Sequence, residues 1–418
     1  MLELCKTALS AQISDKNNDN WAIQPCLHNY MDFEFFHELL SIDSTSGKER
    51  AAAEWLAERL PGMFPAANRP SLQLQEVGDG TLNLLLTWGS PRLVFCSHID
   101  TVPPYIAPKF SENLLVSEPS LRDLSFEGGA APLLSPRGSR PVSPQDKPSD
   151  PVSTGPSDDG RESFESPVIR GRGSCDAKGQ VFAIVSACQK LAEEGCTDFG
   201  ILLLAGEETG SWGAKAFAKT DFRAEYLVVC EPTDNCMVSA SKGTKSFDLK
   251  FTGEPFHSGY PQHGVSAVDL FVQFVNKLKA KDFGSDPLLG ETTWNIGLLK
   301  SDNPQNILSP ELTCRIYFRT TFVSDAAVSE WMAAASSGNL AVTPRGGDTP
   351  ARYWTVEGLP SKPVAFGSDA PHLTNFTHKA ICGPGTVLVA QRADEHVLAA
   401  DLATAVKQYI DIYRAATK

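Results

Sequence analysis

The sequence predicts an α/β protein, a mostly parallel sheet covered by helices on both sides, with a smaller α+β unit of the ferredoxin-like kind inserted into it. Three observations predict it. Between residues 31 and 236, apolar runs of strand length alternate with segments of helical periodicity, the order that builds parallel sheets. Four of these segments end in His, Asp or Glu, as strands of an open sheet do where their C-terminal ends line a crevice. From Met237 to Gly347 the order changes to strand, helix, strands, helix, which suits a lid between two parts of a larger domain.

Taken in order, an extension over 1–30 precedes a helix from Phe33 to Leu40. The turn Ser44-Thr45-Ser46-Gly47 leads to a second helix with Ala53, Leu56, Ala57 and Leu60 on one face. The first part of the catalytic domain, 31–236, is interrupted over 109–167, where Ser, Pro, Gly and charge replace apolar residues. That composition predicts a mobile surface insertion. The lid, 237–347, carries helices Val265 to Leu278 and Asp325 to Ser336. The catalytic domain resumes over 348–418, with Gly367-Ser368-Asp369-Ala370-Pro371-His372 and a last helix from Ala400 to Ala415.

The chemistry sits at the ends of the apolar runs. Phe199 to Ala205 leads through Gly206 into Glu207-Glu208, Leu93 to Ser97 into His98-Ile99-Asp100, Gly171 to Cys175 into Asp176, and Tyr226 to Cys230 into Glu231. Adjacent carboxylates repel unless a positive charge lies beside them, so an acidic pair at a buried strand end suggests a metal site; a solvated corner is the alternative for any one of them. One histidine with several carboxylates, and no CxxC or HExxH, favours a catalytic zinc or related ion with nitrogen and oxygen ligands over a structural thiolate site. At two residues' distance, Asp100 can accept a hydrogen bond from the His98 ring nitrogen that faces away from a metal.

The segments SHIDTVPP, GRGSCDAKG, AGEETGSWGA and CEPT, in this order, resemble the zinc amidohydrolase family of acetylornithine deacetylase, succinyl-diaminopimelate desuccinylase, aminoacylase and carboxypeptidase G, over roughly residues 31 to 418. The resemblance implies a zinc-peptidase fold holding one or two Zn2+, for which Co2+ can substitute, bridged by Asp176. His98 and Glu231 would complete one site and Glu208 would belong to the other, with Glu207 as general base and Asp100 behind the ligands. It implies a last ligand histidine where this chain has Gln391, followed by Asp394-Glu395; a neutral amide is the poorer ligand, so the second ion should bind weakly or be absent. His257, in Pro255 to Pro261, would reach across a homodimer formed through the lid to stabilise an oxyanion. Asn306, Arg319, Gly383 and Gly385 would bind substrate, Arg319 by offering paired donors to a carboxylate.

The pairing of HIDTVPPY with GRGSCDAKG looks most like acetylornithine deacetylase-type members. It leads to an expected hydrolysis of an N-acyl amino acid, N-acetylornithine first, with a dipeptidase, carboxypeptidase or succinyl-diaminopimelate desuccinylase-type hydrolase, or a member impaired by Gln391, as alternatives. No GxSxG elbow occurs, and Ser368, Asp369 and His372 crowd one loop, which argues against a serine hydrolase. His378 and His396 lie near Gln391 in sequence, but each reads more simply as a surface histidine. A formal charge of −13 disfavours nucleic acid as a partner, and no apolar run approaches the roughly 20 residues that span a bilayer. The ten cysteines are scattered, several within apolar runs, and no signal-peptide pattern opens the chain, so a cytoplasmic, reducing location is expected.

Overall fold

The computed structural model describes residues 31–111 and 166–418; the expectations for the extension and for nearly all of the insertion lie outside the described residues. Asp32 caps the first helix, α1 (Phe33–Ser41), by accepting from the Phe35 amide at 3.0 Å, and the helix buries Phe35, Phe36, Leu39 and Leu40. α2 (Arg50–Arg59) buries Ala52, Ala53 and Leu56, and an antiparallel hairpin of β1 (Ser71–Val77) and β2 (Thr81–Thr87) follows. Next comes β3 (Leu93–His98), whose residues are all buried. The short β4 (Lys109–Phe110) and β5 (Val168–Arg170) then pair with each other, so the chain leaves and re-enters the described fold at one place. A long buried helix, α3 (Lys178–Glu193), leads into β6 (Phe199–Leu204), α4 (Trp212–Phe217), β7 (Ala224–Val229) and β8 (Met237–Ser241).

The α+β unit begins at β9 (Gly243–Thr252). α5 (Ala267–Ala280), a short hairpin of β10 (Ser285–Asp286) and β11 (Gly290–Glu291), then β12 (Thr293–Lys300), β13 (Glu311–Thr320), α6 (Asp325–Ala334) and β14 (Leu340–Gly346) complete it. Its strands are all antiparallel in the order β12-β13-β9-β14, the ferredoxin-like arrangement. Burial alternates along β13 because one sheet face meets Phe274 and Leu278 of α5 and Val328 and Met332 of α6, while the other is more open. At its neck the entering and leaving chains touch: Thr244 N donates to Asp348 O at 2.8 Å, and a Cβ on Gly347 (φ +148°) would lie 1.9 Å from Thr244 O, so only glycine fits there.

β15 (Ala351–Arg352) and β16 (Ser361–Val364) then flank β8, and β17 (Phe376–Ile381), β18 (His396–Leu398) and α7 (Ala399–Thr417) close the chain. The large sheet runs β1-β2-β6-β3-β7-β17; β6, β3, β7 and β17 are parallel and the hairpin joins antiparallel, so the sheet is mixed, with a parallel centre. α3 and α7 pack on each other and on β3. From the opposite face, Val94, Cys96, Leu202, Leu204 and Val229 meet Phe217 of α4 and Val238 and Val364 of the small β8 sheet. Met237–Ser241, expected at the start of the lid, therefore packs with the large sheet: a strand buried by two others carries no local sign of which neighbour it joins.

Candidate metal centre

Register brings the ionisable strand ends together. His98 ends β3 beside Leu204 of β6, three residues before Glu207, and Cys96 pairs with Val229 of β7, which puts Glu231 level with His98 across the sheet. Asp176 lies in the turn before α3, and its carboxylate Oδ1 is 3.1 Å from His98 Nε2 although 78 positions separate the two residues. One ligand atom from each of His98, Asp176 and Glu208 lies within 4.8 Å of the others.

Asp100 organises this end of the sheet. Its Oδ1 accepts from the Glu207 amide at 3.0 Å, and its Oδ2 from the Glu208 amide at 3.2 Å and the Ser46 hydroxyl at 2.9 Å. His98 Nδ1 is nearer the Asp100 backbone carbonyl, at 2.9 Å, than its carboxylate, at 3.5 Å. The expected ring contact thus falls first to the main chain, and the carboxylate instead fixes the loop that carries the acidic pair. Burial works against the Asp100 charge, but hydrogen bonds from His98, Ser46 and the Glu207 amide hold its pKa below the ordinary value.

The surrounding charges describe a nest that needs a cation. Burial pushes Glu207 and Glu231 well above the usual carboxylate range, and nearby acids add to it. Burial and Asp176 raise Glu208 to about 7. For His98, burial favours the neutral ring, but Asp100 and Asp176 outweigh it and draw the pKa well upward. None of the leading charges acting on the three glutamates is a lysine or arginine. Glu231 Oε1 is buried without a hydrogen-bond partner, a costly state that a bound cation relieves. One imidazole and several carboxylates, with a free buried oxygen among them, fit a divalent ion such as zinc.

Gln391, standing where the resemblance implies histidine, does reach this cluster. Its Nε2 donates to Glu208 Oε2 at 2.9 Å and Oε1 at 3.1 Å and to Asp176 Oδ2 at 3.4 Å. His378 stacks on Tyr226 and the His396 ring bonds the Asp394 carbonyl, so neither stands in for it.

Three residues that support the centre were named in passing from the sequence but given no part in it. Glu395 Oε1 accepts from the amides of Gly173 (2.9 Å), Cys175 (3.1 Å) and Asp176 (3.0 Å), while its Oε2 pairs with buried Arg172 at 2.5 Å. Asp369 is buried with Oδ1 unpartnered; burial is the main cause that raises its pKa to about 6, and it acts on both Glu207 and Glu231. Ser46 holds Asp100. A second acid in a ligand-bearing loop was the available signal for Glu395, and a buried acid after Gly367-Ser368 the one for Asp369. For Ser46 the local sequence says only that a turn occurs.

The remaining candidates lie on or near the lid. His257 and Asn306 are exposed neighbours: Ser258 N donates to Asn306 O at 2.9 Å, and His257 bridges Ile307. No hydrogen bond or ion pair joins either to the cluster. Arg319 stacks on Tyr317, 4.9 Å from the ring centre, and its Nη1 lies 4.0 Å from where a Cβ on Gly367 would be, next to the loop of Asp369. Among the described residues no carboxylate is within 4.0 Å of its guanidinium, so the surface ion pair that would explain it structurally is not made. The Gly383 amide, expected as a donor to substrate, is committed to Thr233 Oγ1 at 2.9 Å; a Cβ there would lie 2.2 Å from Gln180 Oε1, so this glycine serves close packing. Gly385 packs in the same way against Cys175 beside Asp176. Ser368 and His372 form no triad, since the His372 ring faces Asp348 at 3.6 Å. Among the described residues no helix is long and apolar enough to cross a membrane, and the buried Cys96, Cys175, Cys188 and Cys230 are free thiols.

Comparison with known proteins gives the chain its family. A peptidase M20 domain-containing protein of Schizosaccharomyces pombe is 30% identical over 255 residues, 59% of this chain and 63% of that protein, so the chain spans less than two thirds of its length. A probable carboxypeptidase of Ajellomyces capsulatus is 27% identical over 91% of this chain and 85% of its own. A tripeptidase structure from Staphylococcus aureus shares the fold, with TM-score 0.63 and 19% identity over 92% of this chain and 98% of that one. A metallo-carboxypeptidase from Sulfolobus solfataricus does so with TM-score 0.58 and 14% identity over 92% and 98%. The pattern that describes peptidase family M20/M25/M40 matches residues 149–415, more than half of the sequence, and the chain belongs to that family.

Proposed function

We propose that this chain is a metal-dependent hydrolase of the amide bond next to a free α-carboxylate, as in a dipeptide or an N-acyl amino acid. The observation that carries this reading is the acidic nest where His98, Asp176 and Glu208 converge, with a Glu231 oxygen buried without a partner on the neighbouring strand end. The names of relatives, carboxypeptidase and tripeptidase among them, support cleavage of short peptides. N-acetylornithine belongs to the same chemical class and is retained as one test substrate, beside succinyl-diaminopimelate.

His98, Asp176, Glu208 and Glu231 would hold a divalent ion, zinc in this reading, which would supply Lewis acidity for a carbonyl and for water, whose pKa such an ion lowers from 15.7 to about 7. Glu207, its backbone fixed by Asp100 and its carboxyl raised by burial, takes a proton from the attacking water and returns it to the departing amine. Arg319 orients the substrate carboxylate, for which its guanidinium has no rival among the described side chains. His257, exposed and joined to this chain's own cluster by no hydrogen bond or ion pair, acts on the oxyanion of a partner subunit in a homodimer built through the lid. A cytoplasmic location belongs to the same reading.

The experiment is a panel of dipeptides, Nα-acetyl-L-ornithine and other N-acyl amino acids offered to zinc-supplemented protein, with Glu207→Gln as control. Hydrolysis that needs the free carboxylate and vanishes in the control is expected. Turnover retained by Glu207→Gln, or indifferent to amidation of the carboxylate, refutes the proposal.

A further inference from the structure

We infer that the centre holds a single tightly bound divalent ion, because the Gln391 side-chain amide caps the place a second would occupy. The inference rests on the metal-hydrolase reading above and concerns how many ions that site takes.

The two oxygens of Asp176 face different neighbours. Oδ1 looks toward His98 Nε2 at 3.1 Å, and Oδ2 toward Gln391 Nε2 at 3.4 Å. On the His98 side an imidazole nitrogen meets a carboxylate oxygen, and Glu231, whose charge acts on His98, keeps Oε1 buried without a hydrogen-bond partner. On the Gln391 side the demand is already met. The amide nitrogen donates to both oxygens of Glu208, at 2.9 and 3.1 Å, and carries no lone pair with which to bind a metal. Turning the amide would set its oxygen against two carboxylates and leave a neutral ligand weaker than imidazole. A second ion would have to break the Gln391 contacts and accept fewer good ligands in return. The histidines near Gln391 in sequence do not supply the nitrogen: His372 faces Asp348, His378 stacks on Tyr226 and the His396 ring bonds the Asp394 carbonyl.

Gln391 has φ +62°, a conformation that histidine adopts more readily than most side chains, so the reverse substitution is compatible with the backbone. The test uses the full chain, stripped by chelator and titrated with Zn2+ and then Co2+, with bound metal counted by mass spectrometry and affinities measured by calorimetry. Wild type is expected to bind one tight equivalent, any second weaker by on the order of 100-fold; Gln391→Ala, which removes the cap but adds no ligand, to bind one tight equivalent and a second more readily than wild type; and Gln391→His to bind two tightly. The Co2+ forms give a second readout: spin coupling between neighbouring ions should weaken the paramagnetic signal per ion only in Gln391→His. Two tight equivalents in the wild type overturn the inference, whether or not Gln391→His folds. No tight metal in wild type overturns the metal-hydrolase reading itself, a distinct result.

Discussion

In the large sheet, β3 and β6 are buried along their whole length, and each delivers ionisable groups to one crevice, where Asp100 holds the Glu207-Glu208 loop and Glu395 the adjoining Asp176 turn before anything binds. In the small sheet, β13 buries every second residue, and the groups of interest, His257, Asn306 and Arg319, lie on open surface or at its edge. The difference is one of completeness. The large sheet presents a set of side chains that already constrain one another, while the small one presents side chains that gain a purpose only when something else approaches.

The contrast can be broken at its strong end first. Replacing Glu207 with glutamine should lower kcat by about 10²–10⁴-fold with bound metal unchanged, read by initial rates beside metal analysis. Retained metal is the informative part, since it separates proton transfer from ligation. Replacing Glu395 with alanine leaves Arg172 charged and buried and three loop amides unpartnered, so unfolding free energy should fall by about 3–5 kcal/mol in urea titration. A loss under 1 kcal/mol would show that the Asp176 loop stands without this support.

At the weak end, His257→Ala should cost about 10²–10³-fold in kcat and leave metal affinity untouched. Mixing it with Glu207→Ala sharpens the comparison: if His257 serves the neighbouring subunit, the inactive pair should regain roughly a quarter of wild-type activity as subunits exchange. No recovery, despite demonstrated exchange, would confine His257 to its own subunit. The smallest effect concerns Asp401, whose pKa is raised to about 6 by burial, with Asp234 adding to it. A carboxyl raised on folding contributes stability that is complete below its unfolded pKa and lost as pH rises through the folded value. Asp401→Asn should therefore stabilise above pH 6 by about 1–2 kcal/mol and make little difference near pH 4, measured as the pH dependence of thermal unfolding.

Both ends were not equally legible in the sequence. Apolar runs leading into His98, Glu207-Glu208 and Glu231 pointed to these strand ends because burial and charge change within two residues, a local signal; Asp176, expected at a strand exit too, leaves a glycine-rich turn over 171–175 instead. Helices were legible for the same reason: the expected Ala400 to Ala415 became α7, Ala399–Thr417. The partners that hold the crevice were not, since Glu395 reaches Asp176 across 219 positions and nothing near either residue records the other. The packing of Met237–Ser241 against the large sheet went unread on the same ground. The resemblance located Gln391, but only geometry shows that its amide points its nitrogen at Glu208 and Asp176.

Glu395 also has a bearing on the order of assembly. By the time a ribosome has added Glu231, the imidazole of His98 and the carboxylates of Asp176, Glu207, Glu208 and Glu231 have been made, yet the residue that pins the Asp176 turn lies 164 positions later. The nascent chain therefore carries the ingredients of a metal site through the synthesis of an entire second unit before the last segment can fasten them. An ion arriving early meets loose acids, and its firm capture belongs to the finished polypeptide.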